Sequence, residues 1–125
     1  MPRRIFTAFA MVDKTHRDLF VGQAKNNRVS YEFTDMSVKQ PWDSSWKTQC
    51  RTRIRSCSGF IALITQGLAT AKGALWEIEC AKSEGIPILG VYMGGTNSLH
   101  SPVELYGYKK VNWRWDEISN FIENS

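Results

Sequence analysis

The stretch Ser58–Thr65, with the sequence SGFIALIT, is almost continuously apolar. Such a run is typical of a central strand in a parallel sheet, because helices cover that strand on both faces. After it, Ala74–Glu84 is predicted to form a helix, with Gly85 at the position of a C-cap glycine. Ile86–Met93 (IPILGVYM) is then a second buried strand. This strand–helix–strand unit predicts an α/β fold with a parallel sheet.

The same alternation of strands and helices extends from this unit to both ends of the chain. The further predicted elements are strands at Ile5–Ala10, Arg28–Thr34 and Lys109–Trp113, and helices that begin at Thr15, follow Ser45 and span Asp116–Asn124. We therefore predict a single flavodoxin-like three-layer α/β domain, residues 1–125, with a four- to five-stranded parallel sheet.

Composition narrows the classes of function. The chain has 125 residues, of which 42% are hydrophobic, and its net charge of +4 is too small to indicate nucleic-acid binding by itself. The longest nearly uncharged run, Ser56–Ala71, contains serines, threonines and a glutamine, so no membrane span is predicted. Three cysteines without a CxxC pair favour buried, reduced thiols over a disulfide framework. We therefore expect a cytoplasmic protein that has neither a membrane nor a nucleic acid as its partner.

The predicted sheet also predicts where a ligand would bind. In open parallel sheets the ligand crevice lies at the carboxyl ends of the strands, here beside the first and the third. The segments expected to line it are Phe9–Asp13, Thr34–Trp42 and Thr65–Glu77. No GK[ST], GxGxxG or GxSxG motif follows a predicted strand, so the common phosphate-loop and serine-hydrolase signatures are absent. The histidines, His16 and His100, lack metal-ligand spacing, and no metal site is predicted.

One predicted helix brings two carboxylates near this crevice. At about 100° per residue, Glu77 and Glu79 flank the core-facing arc of the helix on opposite sides, so periodicity alone does not choose between them. Glu77 lies nearer to the strand ends, where the crevice opens. The alternative is that both glutamates are solvated residues that the helix N-terminus stabilises.

Four blocks of the sequence, taken in order, resemble a TIR domain. The blocks are Phe6–Ala10, Phe33–Ser37, Ile54–Thr65, and Leu75–Ile78 followed by Ile86–Val91. More closely, they are similar to the TIR-like family of Thoeris antiphage defence (the ThsB type). That family has an aspartate-x-serine after the second strand and a tryptophan-glutamate-isoleucine on a later helix. Asp35-Met36-Ser37 and Trp76-Glu77-Ile78 match these two motifs.

The resemblance implies an enzymatic activity and a catalytic residue. Members of the family cleave the bond between nicotinamide and ribose in NAD+, and the freed ADP-ribosyl group can cyclise into a signalling nucleotide. NAD+ is thus expected as a substrate, with no separate cofactor. The catalytic glutamate of the family maps onto Glu77. A carboxylate suits this chemistry, because bond cleavage builds positive charge on the ribose.

The resemblance also implies a set of substrate-binding residues. They are Phe9, Ala10, Asp13, Asp35 and Ser37, and Trp76 is added to them because its ring could stack on a base or a nicotinamide ring. For Asp35 and Ser37 the alternative is a local turn stabilised by their own side chains. The helical periodicity predicts that Trp76 points off the core, so it could instead lie in a subunit contact. Trp42 is a further candidate for stacking on a base or a nicotinamide ring, or it packs beneath its own loop.

The expected partners follow from the same resemblance. TIR-like enzymes commonly self-associate, and the product is expected to act on a separate nucleotide-sensing effector, with a phage-derived trigger upstream. The main rival hypothesis is a TIR-type interaction module without turnover, in which Glu77 is dispensable. A third hypothesis is an enzyme that transfers or hydrolyses a different nucleoside on a similar three-layer fold.

Overall fold

The computed structural model describes residues 3–26, 31–36 and 39–125, and its centre is one parallel sheet. The strands are β1 (Arg3–Ala8), β2 (Tyr31–Thr34), β3 (Gly59–Ile64), β4 (Ile88–Tyr92) and β5 (Lys109–Asn112). Their order in the sheet is β2-β1-β3-β4-β5, and every neighbouring pair is parallel. All six residues of β3 are buried, as the continuous apolar sequence of this segment predicts.

Helices cover both faces of the sheet. They are α1 (Lys14–Asn26), α2 (Ser44–Arg55), α3 (Lys72–Ser83) and α4 (Trp115–Glu123). Helix α2 begins at a clear signal, because the carboxylate of Asp43 accepts hydrogen bonds from the amides of Ser45 and Trp46. Gly85 follows α3 with a φ of 69°, a left-handed conformation that glycine adopts without strain.

The core has two halves, one on each side of the sheet. Helices α2 and α3 pack on one face, where Phe6 and Phe60 stack with ring centroids 5.3 Å apart. Helices α1 and α4 pack on the other face, around Phe20 and Ile118. The result is the three-layer arrangement expected for alternating strands and helices joined by right-handed crossovers.

The predicted fold class is confirmed, with five strands in the sheet, while several element boundaries differ. Strand β1 ends at Ala8, because a short 3₁₀ turn at Met11–Asp13 closes directly behind it with a hydrogen bond from the Asp13 amide to the Ala10 carbonyl. Helix α3 begins two residues earlier than predicted, at Lys72. Of the predicted strand from position 28 to 34, positions 28–30 lie outside the described residues.

None of the helices in the described ranges combines the length and the apolar character that crossing a membrane requires. The longest of them, α1, has 13 residues. A bilayer-spanning helix needs about 20 residues.

Candidate active site

A cavity of about 280 Å³ opens at the carboxyl edge of the sheet. Its walls come from the segment after β1, the loop before α2 and the first turn of α3. The lining residues are Phe9, Ala10, Met11, Val12, Lys39, Pro41, Trp42, Gly67, Thr70, Ala71, Lys72, Gly73 and Ala74. These residues come from all three segments that the sequence predicts for the crevice, and the order of β1 and β3 in the sheet brings the segments together.

Glu77 lies completely buried beside this cavity. It is in the second turn of α3, with Gly73 and Ala74 of the cavity wall one turn before it. Lys39 Nζ donates to both carboxylate oxygens, at 2.7 Å to Oε1 and 2.8 Å to Oε2. The thiol of Cys50 lies 3.9 Å from Oε2. The alternative of a solvated Glu77 is therefore wrong, because the helix faces inward at this position and a lysine compensates the charge.

Burial sets the protonation behaviour of Glu77. Loss of hydration raises the pKa of this carboxyl group from the usual 4.5 to about 7, and the charge and hydrogen bonds of Lys39 oppose part of that rise. Burial together with the nearby Glu77 charge also raises the pKa of the Cys50 thiol. Glu79, by contrast, is exposed on the same helix and pairs with Lys82 at 3.0 Å. The structure therefore separates two glutamates that periodicity left equivalent.

Lys39 is a residue of the site that the sequence did not identify. Its side chain is only 7% exposed, and its ammonium lies 4.4 Å from the centroid of the Phe9 ring. Its aliphatic stem runs against Gly73, where an added Cβ would come within 2.6 Å of the Lys39 Cβ. The only signal in the sequence was that Lys39 belongs to a segment expected to line the crevice, since no motif or periodicity marks it.

A second ion pair also contacts the Phe9 ring. The Arg17 guanidinium is 4.8 Å from the centroid of the Phe9 ring and pairs with Asp35 and with Asp18. The charge of Asp35 contributes to the raised pKa of Glu77. The structure thus brings Phe9 and Asp35 into the neighbourhood of Glu77, through Arg17 and Lys39. Arg17 was also missed, because an arginine on a helix is usually solvated, whereas this side chain is mostly buried.

Ala10 and Asp13 lie where the chain leaves β1, but only Ala10 lines the 280 Å³ cavity. Asp13 Oδ2 accepts hydrogen bonds from Thr65 Oγ1 at 2.6 Å and from the Gly67 amide at 3.3 Å. Asp13 also lines a separate polar cavity of about 250 Å³, together with His16. Its carboxylate therefore fastens the turn after β1 to the end of β3.

Trp76 is oriented differently from the sequence-based expectation. Rather than pointing off the core, its ring is half-buried between α2 and α3, with its centroid 5.3 Å from that of Trp46. The guanidinium of Arg51 lies 5.7 Å from the Trp76 ring. Its role in substrate binding stays a prediction, and the ring lines a basic surface depression on α2 rather than the cavity beside Glu77. Ser37, the remaining predicted binding residue, lies outside the described residues.

The rim of the cavity carries two exposed apolar side chains. Trp42 is 78% exposed and Val12 is 86% exposed. Trp42 is therefore available to a ligand instead of being packed beneath its loop. In the part of the chain that the structure describes, no three His, Cys, Asp or Glu side chains come together as a metal site. Lys39 and Lys72 are the charged residues that line the cavity, and Glu77 lies buried behind Lys39.

Sequence comparisons identify no relative of this chain. No protein-family profile matches it, and no curated protein matches it.

Comparisons with solved structures identify the fold. A protein from Burkholderia pseudomallei described as pilus assembly-related matches with a TM-score of 0.56 and 14% identity, over 98% of this chain and 87% of that chain. A prokaryotic SEFIR domain matches with a TM-score of 0.55 and 10% identity, over 98% of this chain and 88% of that chain. At these identities the likeness concerns the fold alone. The chain therefore has an α/β fold of the TIR/SEFIR-like type.

Proposed function

We propose that the chain is a TIR-like enzyme that cleaves the bond between nicotinamide and ribose in NAD+. The observation that carries the proposal is the Glu77 carboxylate, which is bonded to a lysine of the cavity wall at the carboxyl edge of the sheet. Some proteins with a TIR-like fold are NAD+-cleaving enzymes. Glu77 also belongs to the sequence block that resembles the catalytic motif of the Thoeris family.

The chemistry suits a single buried carboxylate. Cleavage of an N-glycosidic bond builds positive charge on the ribose, and a negative charge held nearby stabilises it. Nicotinamide leaves as a neutral molecule, so strong acid catalysis is unnecessary. The stabilisation is larger in a buried site than in water, because less solvent screens the two charges. With a pKa of about 7, a substantial share of the Glu77 carboxyl groups is ionised at neutral pH.

The candidate binding residues lie in two places, in the interior of the cavity and at its rim, and each contacts a different part of the substrate. Ala10 and the backbone after β1 are candidates for contacts with the diphosphate, since they line the cavity and backbone amides of turns can bind anions. Trp42 offers a flat apolar face for the adenine base at the mouth of the cavity. Phe9, in the cavity wall, and Asp35, behind it, act through the cations that contact them.

The finer assignment rests on the sequence resemblance to the Thoeris family. In it, the product is a cyclic ADP-ribose-type nucleotide that acts on a separate effector during antiphage defence. Self-association of the chain completes or activates the site, and a phage-derived trigger starts the reaction. Chromatography with mass detection distinguishes the products, because a cyclic product is lighter than linear ADP-ribose by one water molecule.

The experiment that tests the activity is nicotinamide release from NAD+ by wild type, Glu77→Gln and Glu79→Gln. It uses concentrated purified protein and lysate from phage-infected cells that express each variant. We expect Glu77→Gln to lose at least about a hundredfold of the rate, on the order of 3 kcal/mol of transition-state stabilisation. Glu79→Gln is the matched control on the same helix, because its exposed carboxylate pairs only with Lys82 among the described contacts.

The second candidate function is a TIR-type interaction module without turnover, and one observation favours it. Glu77 is fully buried and its two oxygens are bonded to Lys39, as in an ion pair that serves stability alone. Absence of release by all three proteins, each folded by circular dichroism, would support the module, whereas equal release by all three would show turnover that does not need Glu77. Adenosine and inosine are assayed in parallel, and release of base from these instead of NAD+ would identify a different nucleoside-cleaving enzyme.

A further inference from the structure

Lys39 and Glu77 form an ion pair that blocks the very carboxylate the proposed reaction needs. Both carboxylate oxygens are bonded to the ammonium, the Glu77 side chain has no exposed surface, and that of Lys39 has 7%. A ligand can therefore contact Glu77 only if Lys39 moves. A buried charge deprived of its partner is strongly unfavourable, so both members of the pair need a new partner when they separate.

We propose that Lys39 determines the specificity of the site by ion-pair exchange. A ligand's cationic pyridinium ring takes the position of the ammonium beside Glu77, and the released ammonium pairs with the ligand's phosphate. The ligand class is thus a pyridinium nucleotide that carries both a cationic ring and a phosphate. This inference rests on the proposed function, since it concerns the same carboxylate and the same substrate.

The surroundings of the ammonium suit a planar cation. The ammonium lies 4.4 Å from the centroid of the Phe9 ring, whose face already attracts positive charge. A pyridinium ring in this position would keep the contact with Phe9 and add stacking between two flat rings. It would also keep a positive charge beside Glu77, so the carboxylate remains compensated.

The route of Lys39 to a phosphate is short. Lys39 already lines the 280 Å³ cavity, so its ammonium needs to turn from the interior to the cavity without a change in the fold. Its stem lies against Gly73, and no side chain at that position obstructs it. Lys72 is the other lysine of the cavity wall, but it is exposed and forms no part of the buried pair.

The experiment compares two probes that differ in the phosphate alone. Nicotinamide mononucleotide has the cationic ring and a phosphate, whereas nicotinamide riboside has the ring without the phosphate. We expect wild type to prefer the mononucleotide by about tenfold in kcat/KM, which corresponds to one charge-assisted contact. In Lys39→Met the ratio of kcat/KM for the mononucleotide to kcat/KM for the riboside falls to about two or less, even if both rates decline. Lys72→Met is expected to keep most of the wild-type ratio.

A second variant tests the exchange without removing the charge. Gly73→Ala adds a Cβ that would lie 2.6 Å from the Lys39 Cβ, so Lys39 must shift, while alanine itself suits the helical backbone at this position. The shift weakens the pairing of Lys39 with Glu77. We therefore expect KM for the mononucleotide to fall severalfold, while the preference over the riboside persists. If Lys39 had only a structural role, KM for the mononucleotide would not fall in this variant.

The outcomes separate this inference from the proposed activity. If wild type cleaves NAD+ but Lys39→Met keeps the full preference for the mononucleotide, the exchange is wrong and the activity stands. The exchange is also wrong if Lys72→Met alone abolishes the preference. If no protein releases nicotinamide, the activity fails, and dissociation constants from calorimetry for the same two probes decide the exchange. Equal affinity of wild type for both probes would then overturn it.

Discussion

The Glu77 carboxyl group couples the folding of the chain to pH. Its pKa is about 7 in the folded chain, above the usual 4.5 expected when the chain is unfolded. At pH values between 4.5 and 7, the Glu77 carboxyl group is mostly deprotonated in the unfolded chain and mostly protonated in the folded chain. The free energy of unfolding therefore falls as the pH rises from 4.5 to 7, and this contribution is constant above that range.

This coupling predicts a difference between wild type and Glu77→Gln in chemical denaturation. Relative to the variant, wild type should lose up to about 1.4 kcal/mol of unfolding free energy per pH unit inside this window. Urea titrations at several pH values measure the difference. Glu79→Gln retains Glu77 and should follow wild type. A constant difference between wild type and Glu77→Gln across the window would contradict the raised pKa.

At the level of single residues, the sequence predicted which carboxylate to examine but not its surroundings. The likeness to the tryptophan-glutamate-isoleucine motif singled out Glu77 over Glu79. Its burial depends on Lys39, which lies 38 positions away in a loop. A loop has no periodic pattern, so nothing in the sequence indicates that its lysine reaches into the interior. The catalytic role of Glu77 itself stays a prediction.

Among the elements, α2 and α3 are joined by an aromatic contact that stands apart from the candidate site. Trp76 packs against Trp46 and Arg51, while Trp42 is exposed at the cavity rim. Truncation of Trp76 should therefore lower stability, whereas truncation of Trp42 should weaken ligand binding. This contrast distinguishes a side chain that holds helices together from one that is free to contact a ligand.

We expect Trp76→Ala to lower the free energy of unfolding by about 2 kcal/mol, roughly half the usual cost for a fully buried tryptophan. Its KM for NAD+ should stay near that of wild type. Trp42→Ala should leave stability within about 0.5 kcal/mol of wild type. Its KM for NAD+ should rise about tenfold, from the loss of one stacked base.

Denaturation curves and Michaelis–Menten kinetics on both variants provide the check. Nicotinamide mononucleotide serves as the control substrate, because it lacks the adenine base and should be insensitive to Trp42→Ala. A large rise in KM for Trp76→Ala with unchanged stability would support the predicted role of Trp76 in substrate binding. A Trp42 variant that is destabilised instead would assign that ring to packing.

The elements were more predictable than the contacts between them. A parallel sheet follows from the apolar runs at Ser58–Thr65 and Ile86–Met93, since buried strands need such sequences. The ends of the elements were harder to predict, because the 3₁₀ turn behind β1 depends on a tertiary contact, in which Thr65 and the Gly67 amide donate hydrogen bonds to Asp13. The orientation of Trp76 likewise depends on how α2 packs on α3, which periodicity within a single helix does not contain.

For the whole molecule, the net charge of +4 and the lysines of the cavity wall should favour an anionic ligand. We expect kcat/KM for NAD+ to fall about threefold between roughly 50 mM and 300 mM salt, as counterions screen these charges. Initial rates across a salt series measure the effect.

Nicotinamide riboside, which is cationic, is the control in the same series. Its kcat/KM should stay constant or rise with salt, because the positive chain repels it at low ionic strength. An equal fall for both substrates would indicate a general effect of salt on the protein instead of electrostatic attraction of the phosphates.

The burial of the three cysteines has a practical consequence for site-specific fluorescent labelling of this protein. Burial raises the pKa of the thiols of Cys50, Cys57 and Cys80, so maleimide dyes should leave the native chain almost unlabelled. Trp42→Cys would then give a single dye attachment point on the loop that also carries Lys39. Fluorescence from that dye could report, in real time and without any turnover, when the loop responds to a nucleotide.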